Sequence, residues 1–440
     1  MSKHLTLASV QAAPAQAISA PADQGIFARL RRVWSLIWFQ DKSTSPLQIA
    51  RIGVGAAVLL HYALATPYLF TLWGDDGWMP RTLLAQEQSG RWAQSVLFYF
   101  SAPWQLAVFH GFFLFCCAAL MVGWRTAFVK WAVLIGHISY DYRNPHIVYG
   151  ADAILACLLL ILCFAPTGRA MSLDRVREVR AAKRKDLEAH PPPFTSPWAF
   201  ACTRLMQIQM AVLFFVSATD KLTGMDWWDG DAVWLVFVDN NYYHSGLLAL
   251  LASNYWLVYL ATYGTIAIEI VYPFLVWTRR LRPYMLAGAI FLHLQFALLM
   301  RLYYFSFVMV MGHMSFLRHE WLSALGAAWM EMIYDGHCGF CKRSMAWFLA
   351  FDGLRQIQIR DFRADPSPVV SDDRVEKALY LVLPDGRALP GFEAYRYVVL
   401  RVPGLWWQIP FFYLPVLSRL VGHPLYNWVA ANRGRLSQFV

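Results

Sequence analysis

The residues with the clearest chemical potential are two cysteines separated by two residues, Cys338 and Cys341, in the segment YDGHCGFC. An apolar run precedes them and a helical pattern follows, so Gly336 permits a tight turn and the cysteines lie on the first turn of a helix. Unpaired N–H groups and the helix dipole stabilise a thiolate at that end. We therefore predict a redox-active disulfide with Cys338 as the attacking thiolate and Cys341 as the resolving thiol.

Two other functions of a CxxC pair, zinc binding and covalent haem attachment, have less support in this sequence. A structural zinc ion needs four ligands, and this part of the sequence has no second cysteine pair. Covalent haem attachment requires CxxCH, whereas Lys342 follows Cys341. The sequence therefore favours redox chemistry and predicts no metal site.

The surrounding elements agree with that chemistry. The sequence predicts a strand at EMIYDG, a helix at CGFCKRSMAWFLAFD, a second strand at IQIRDF and a hairpin around Asp385-Gly386. The YDGHCGFC motif, its helix and the DF of IQIRDF resemble the DCC-type thiol–disulfide oxidoreductases, which are small thioredoxin-like proteins. The resemblance covers about residues 331–435. It implies protein-disulfide reductase-type activity with an unknown thiol or disulfide protein partner.

The composition of the remaining chain indicates a membrane protein. Of the 440 residues, 58% are apolar and only 15% are charged, whereas soluble domains carry about 25% charged residues. We predict a polytopic α-helical membrane bundle of about eight spans in residues 41–325, followed by a C-terminal thioredoxin-like α/β domain in residues 330–440. Residues 1–40 are predicted to form a disordered cytoplasmic leader that ends in an interfacial segment, WSLIWF. The predicted spans are 46–66, 102–122, 127–142, 147–166, 199–219, 255–277, 283–301 and 302–317.

The net charge of +10 reflects topology rather than nucleic-acid binding. With the N-terminus inside, 18 Lys and Arg residues fall in cytoplasmic segments and 5 in external ones, as the positive-inside rule predicts. The charged stretch 174–193 is then a solvated cytoplasmic loop. We expect a bacterial-type inner-membrane protein whose N-terminus and C-terminal domain are both cytoplasmic, with the lipid bilayer as partner and no nucleic acid.

Ionisable residues inside the predicted spans are candidates for function because they are costly in a membrane. Five histidines and two further residues lie there: His61, His110, His137, His293, His313, Arg204 and Glu269. A single histidine of this kind is most simply neutral and hydrogen-bonded to a neighbouring helix. Five together favour a polar interior cavity, and haem binding by two of them is an alternative that no spacing singles out.

Two segments that are predicted to lie outside the membrane contain further candidate functional residues. One is RNPHIVYG, which contains His146, and the other is DKLTGMDWW, which contains Lys221, Trp227 and Trp228. Taken alone, Lys221 is an interfacial lysine whose amine reaches towards water. Together with the order of the spans, these segments resemble the vitamin K-dependent γ-carboxylase-like (HTTM) transmembrane family over about residues 40–320.

The resemblance implies that Lys221 is the base that deprotonates a reduced quinone and that His146 assists. Such a lysine must be neutral, so Trp227 and Trp228 are expected to desolvate it and to contact the ligand. Lys221 and His146 should share a pocket near the external leaflet. The sequence departs from the true carboxylase, because a large external domain is missing and the doubly basic lysine motif is reduced to Asp220-Lys221.

These observations leave three hypotheses. The first is a membrane-tethered thiol–disulfide oxidoreductase whose bundle binds a small hydrophobic molecule of the quinone type. The second is a carboxylase- or epoxidase-like enzyme that uses Lys221 as its base and the cysteines as reductant. The third is a non-catalytic membrane interaction or immunity-type protein, and the presence of both Cys338 and Cys341 argues against it.

Overall fold

A computed structural model of the chain describes residues 26–42, 44–87, 95–185, 195–239, 246–318, 320–321, 330–352, 356–376 and 378–438. Residues 1–25 of the predicted leader and residues 322–329, which hold the predicted domain boundary, lie outside the described residues.

The end of the predicted leader contains helix α1 (Ile26–Trp38), which includes most of the predicted interfacial segment WSLIWF. Apolar residues recur at helical spacing in Ile26, Leu30, Val33 and Ile37, which favours an amphipathic helix. None of the residues of α1 is buried. A helix with an exposed apolar face and arginines beside it suits the membrane–water interface.

The next helices form the bundle. In chain order they are α2 (Ser45–Ala65), α3 (Leu69–Trp73), α4 (Arg81–Glu87), α5 (Pro103–Val122), α6 (Thr126–Arg143), α7 (Gly150–Phe164), α8 (Leu173–Lys185), α9 (Pro197–Lys221), α10 (Met225–Asp229), α11 (Ala232–Val238), α12 (Gly246–Ala252), α13 (Tyr255–Leu275), α14 (Arg282–Met300) and α15 (Tyr303–His313). Each of the eight predicted spans coincides with a helix in this series.

The number of spans is not confirmed as eight. Five helices of the described chain are long and apolar enough to cross a membrane: Ser45–Trp73, which includes α2 and α3, then α5, α9, α13 and α14. Helix α7 is apolar but has 15 residues, about 22 Å at 1.5 Å per residue, and α15 has 11. Both are shorter than the roughly 30 Å hydrocarbon core.

The short helix α15 nevertheless lies inside the bundle. It contacts α2, α7, α9 and α14, and its residues Val308 and Met309 belong to one continuous apolar core with residues of α2, α5, α6, α7 and α9. Many large apolar side chains on the outside of the bundle are exposed, among them Phe112, Phe291 and Leu298. A surface of this kind matches lipid rather than water.

The C-terminal domain is a four-stranded sheet with helices. Its strands are β1 (Met330–Tyr334), β2 (Ile357–Asp361), β3 (Tyr380–Val382) and β4 (Ala388–Pro390), in the order β2-β1-β3-β4. β1 pairs in parallel with β2 and antiparallel with β3, and β3 pairs antiparallel with β4. The predicted strands, the CxxC helix and the hairpin are therefore confirmed.

The sheet is covered on both faces, as the period-two alternation of β1 requires. Met332 and Tyr334 pack into one apolar cluster, whereas Ile333 packs into another with Phe362. The domain's helices are α16 (Gly339–Phe351), α17 (Asp372–Val375), α18 (Gly391–Arg401), α19 (Ile409–Tyr413), α20 (Pro415–Leu417) and α21 (His423–Gln438). Helix α16 contacts α21 within the domain and α8 from the bundle segment.

Candidate functional site

The cysteine pair lies where the sequence predicts it, at the start of α16. Cys338 is the N-cap residue of this helix, and its sulfur accepts a hydrogen bond from the Cys341 N–H at 3.2 Å. The two sulfurs form a disulfide, with the Cα atoms 5.2 Å apart. Both cysteines are half-buried, and Cys341 packs against the apolar cluster under the helix. This asymmetry suits an outer attacking sulfur and an inner resolving one.

The turn before the cysteines is held by the end of β2. The Gly336 N–H donates a 2.9 Å hydrogen bond to Oδ1 of Asp361, and the Phe362 N–H donates to the Tyr334 carbonyl at 3.2 Å. A Cβ atom at position 336 would overlap the Asp361 carboxylate. Glycine is therefore required here by the close approach of that carboxylate. The DF pair of the motif therefore positions the redox turn.

A second carboxylate fixes the residues immediately before Cys338. Asp335 accepts hydrogen bonds from the His337 N–H at 3.0 Å and from the Arg363 guanidinium at 3.2 Å. Burial raises the pKa of the Asp335 carboxyl, but these two hydrogen bonds outweigh that effect and hold the pKa below its usual range. Arg363 also pairs with Glu376 at 2.8 Å. The Asp335 carboxylate and the Arg363 guanidinium therefore hold the turn in place.

The arrangement is suited to two-electron thiol–disulfide exchange. A sulfur at a helix N-terminus is stabilised as a thiolate by N–H groups and by the dipole, and the Cys341 N–H already points at the Cys338 sulfur. A resolving cysteine one turn away lies within disulfide distance. Cys338 itself is half-buried, and its neighbours His337 and Gly339 are exposed.

The lysine singled out in the bundle is mostly buried and paired. The Lys221 side chain is 21% exposed, its amine lies 3.0 Å from Oε2 of Glu269, and it donates to the Ser217 hydroxyl at 2.6 Å. The amine also lies 5.4 Å from the centroid of the Trp227 ring. The contact with Trp227 was expected, and the Glu269 carboxylate is a partner that the sequence did not assign.

His146 and Trp228 do not contact the Lys221 side chain in the hydrogen bonds and ion pairs of the described residues. The His146 side chain is 58% exposed and lies 3.0 Å from Glu87, so among the described residues it shares no contacting side chain with Lys221. The Trp228 indole donates to the Leu222 carbonyl at 2.9 Å and the ring is 59% exposed. A common pocket for Lys221 and His146 therefore stays a prediction.

Neighbours of His146 in the RNPHIVYG segment have a structural role. Arg143 is 1% exposed, pairs with Asp75 at 3.1 Å and donates to the Met79 carbonyl at 2.7 Å. Asn144 donates to the Leu72 carbonyl at 2.7 Å. These bonds hold α3 and the segment that follows it against the C-terminal end of α6, which gives the polar RNPHIVYG motif a structural role.

Four of the five histidines in the predicted spans form two groups, and the fifth, His61, stacks on Tyr304 beside Asp152. In the first, His110 and His137 contact the hydroxyls of Tyr140 and Tyr62 at 2.8 and 2.9 Å. In the second, His293 and His313 lie with their rings stacked at 5.5 Å, and His313 contacts the Tyr272 hydroxyl at 2.6 Å. All four are buried, so most of them follow the simple expectation of hydrogen-bonded interior histidines.

Comparison with known proteins assigns the two parts of the chain. Residues 39–321 match the HTTM domain family, and residues 332–439 match the DCC1-like thiol-disulfide oxidoreductase family. The uncharacterised protein YitO of Bacillus subtilis (strain 168) is 26% identical over 211 residues, which cover 45% of this chain and 63% of YitO. No solved structure matches the chain. Because the HTTM match covers more than half of its residues, the chain belongs to the HTTM family, and a segment that matches the DCC1-like thiol-disulfide oxidoreductase family follows its helical bundle.

Proposed function

We propose that the protein is a membrane-tethered protein-disulfide reductase whose active groups are Cys338 and Cys341. The observation that carries this proposal is the position of the pair on the first turn of α16, with the Cys341 N–H directed at the Cys338 sulfur. The DCC1-like match over residues 332–439 supports the same chemistry. The partner is a protein or small molecule that presents a disulfide.

The reaction balances as two thiol–disulfide exchanges. The Cys338 thiolate attacks one sulfur of the substrate disulfide, forms a mixed disulfide and releases the other substrate sulfur as a thiol after protonation. The Cys341 thiolate then attacks the Cys338 sulfur, which releases the second substrate thiol and leaves the Cys338–Cys341 disulfide. The substrate gains two electrons, and a dithiol donor regenerates the reduced pair by the reverse exchanges.

The bundle is proposed to bind a hydrophobic molecule of the quinone type at Lys221. Support comes from the position of the half-buried Lys221 beside the buried Glu269 and the Trp227 ring, because an ionisable pair inside a membrane bundle is costly without a function. In the second candidate function, a carboxylase- or epoxidase-like reaction, Lys221 gives its proton to Glu269 and then removes the proton of a quinol hydroxyl. The 3.0 Å contact with Glu269 favours this candidate over a simple interfacial lysine.

The redox domain is proposed to face the cytoplasm of a bacterial-type inner membrane, together with the N-terminus. Support comes from the contact between α16 and α8, because α8 lies in the basic segment between α7 and α9. Segments rich in Lys and Arg between spans stay inside. A cytoplasmic domain would keep its cysteines mainly reduced at rest.

Trapping of mixed disulfides tests the reductase proposal. Full-length Cys341→Ser protein in membranes should accumulate mixed disulfides through Cys338, because the resolving thiol is gone, whereas Cys338→Ser should not. Cys157→Ser serves as the matched control, since Cys157 is an exposed free cysteine in the bundle, and it should behave like wild type. Equal trapping by the Cys341→Ser and Cys338→Ser variants would overturn the assignment of an attacking and a resolving cysteine.

A further inference from the structure

A second cluster of chemically active side chains lies where α2, α6 and α7 meet, apart from the cysteines and from Lys221. His137 and Asp141 are four residues apart on α6, and therefore on one face of that helix. Asp152 lies in the first turn of α7. One ligand atom from each of these three residues lies within 4.8 Å of the others, and His137 Nε2 is 3.6 Å from Asp141 Oδ2. Ligands that share one ion at bond lengths of about 2.1 Å lie about 3 to 4 Å apart.

The charges of the cluster call for a cation. The Asp152 side chain is 4% exposed and that of Asp141 is 21% exposed. Neither carboxylate forms an ion pair with Lys or Arg within the part of the chain that the structure describes, and each has a histidine as its partner, His61 or His137. Two carboxylates in a low-dielectric site are costly unless opposite charge compensates them. A divalent ion supplies that charge.

The ligand groups are also held in position by neighbours. The Tyr62 hydroxyl lies 2.9 Å from His137 Nδ1, the usual second contact of a metal-binding imidazole. Asp152 accepts from the Tyr149 N–H at 3.0 Å and from the Tyr304 hydroxyl at 3.1 Å. His137 Nε2 lies 3.0 Å from the Asp152 carbonyl oxygen, so coordination through Nε2 requires the ring proton to be on Nδ1, where it is donated to the Tyr62 hydroxyl.

We infer that His137, Asp141 and Asp152 form a binding site for a divalent first-row transition-metal ion. Imidazole combined with carboxylates suits Zn²⁺, Fe²⁺ or Mn²⁺. His61 Nε2 lies 3.9 Å from Asp152 Oδ1, beside the three ligands. The ion would link α6 and α7, and the partly exposed Asp141 side chain places the site at the edge of the buried core. This site is independent of the cysteine chemistry.

The test uses Co²⁺ as a spectroscopic probe on tag-free, chelator-treated full-length protein in detergent. We expect one Co²⁺ per chain with visible d–d absorption, and competition by Zn²⁺. The variants His137→Gln and Asp141→Asn should weaken binding by at least about tenfold. Tyr62→Phe, which alters a second contact, should weaken it by about 10- to 100-fold.

Asp76→Asn is the matched control, because Asp76 is an exposed carboxylate outside the cluster, and it should bind Co²⁺ like wild type. Size-exclusion profiles and helical circular dichroism identify variants that fail to fold, and Asp141→Asn, at a partly exposed position, provides a mild alternative to His137→Gln. The absence of Co²⁺ binding in wild type, or unchanged binding in folded His137→Gln and Asp141→Asn proteins, would overturn the inference.

Discussion

Gly336→Ala tests whether the turn that carries Cys338 depends on the carboxylate at the end of β2. The new Cβ would overlap Asp361, so the carboxylate must withdraw and give up the 2.9 Å hydrogen bond from the residue 336 N–H. A hydrogen bond to a charged group contributes about 1.5–3 kcal/mol. We therefore expect the C-terminal domain to lose about 2 kcal/mol of stability, measured by pulse proteolysis of full-length protein in urea.

A double-mutant cycle separates the overlap from other effects of the alanine. Asp361→Ala alone loses the same hydrogen bond and should also cost about 2 kcal/mol. The double variant Gly336→Ala with Asp361→Ala has no carboxylate to overlap, so it should cost little more than Asp361→Ala alone. Strictly additive losses, or a Gly336→Ala protein as stable as wild type, would refute the role assigned to the close approach.

Four further predictions concern the lysine pair, the Asp335 carboxylate and the membrane topology. Glu269→Gln leaves the half-buried Lys221 amine without its carboxylate. We therefore expect a loss of about 1–3 kcal/mol in denaturant unfolding, between the values for exposed and buried ion pairs, and unchanged stability would exclude a stabilising pair. Lys221→Arg should abolish any quinol-dependent activity, because a guanidinium stays protonated, and an unchanged rate would exclude Lys221 as the base. Folding lowers the pKa of Asp335, so its contribution to domain stability is complete above the unfolded pKa of about 3.9 and disappears as the pH falls through the folded pKa. In Asp335→Asn the domain stability should therefore fall less between neutral and acid pH than in wild type. The same loss of stability on acidification in both proteins would contradict the assignment. Single cysteines introduced at Ser367 and Gln86 should react with a membrane-impermeant thiol reagent from opposite sides of the membrane. Labelling of both from outside would place the redox domain outside.

The sequence was sufficient for the redox domain because its signals are local. The strand, turn and helix around Cys338 follow from alternation, from Gly336 and from the helical pattern, and each was confirmed. The support from Asp361 and Arg363 was not predicted in detail, because it depends on β2 pairing in parallel with β1 across more than twenty residues. In the sequence, only the DF pair after IQIR pointed to this support of the turn.

The bundle was harder to predict because its contacts join distant helices. Glu269 stood out as an acid within a span, yet only the packing of α13 on α9 brings it to Lys221. A metal site was not predicted, because His137 and Asp152 lie on different helices and no short motif connects them. The count of eight spans relied on apolar runs, and hydropathy alone does not distinguish a span from a short interior helix such as α15.

The central claim is that Cys338 and Cys341 are a catalytic redox pair, and the reduction potential of the pair tests it most directly. The measurement equilibrates full-length protein in glutathione buffers of defined ratio and quantifies the free thiols by alkylation and mass spectrometry. Because stabilisation of the thiolate at the helix N-terminus favours the reduced form, we predict a potential between about −270 and −120 mV, the range of catalytic pairs. A potential below about −300 mV, typical of structural disulfides, would contradict the account.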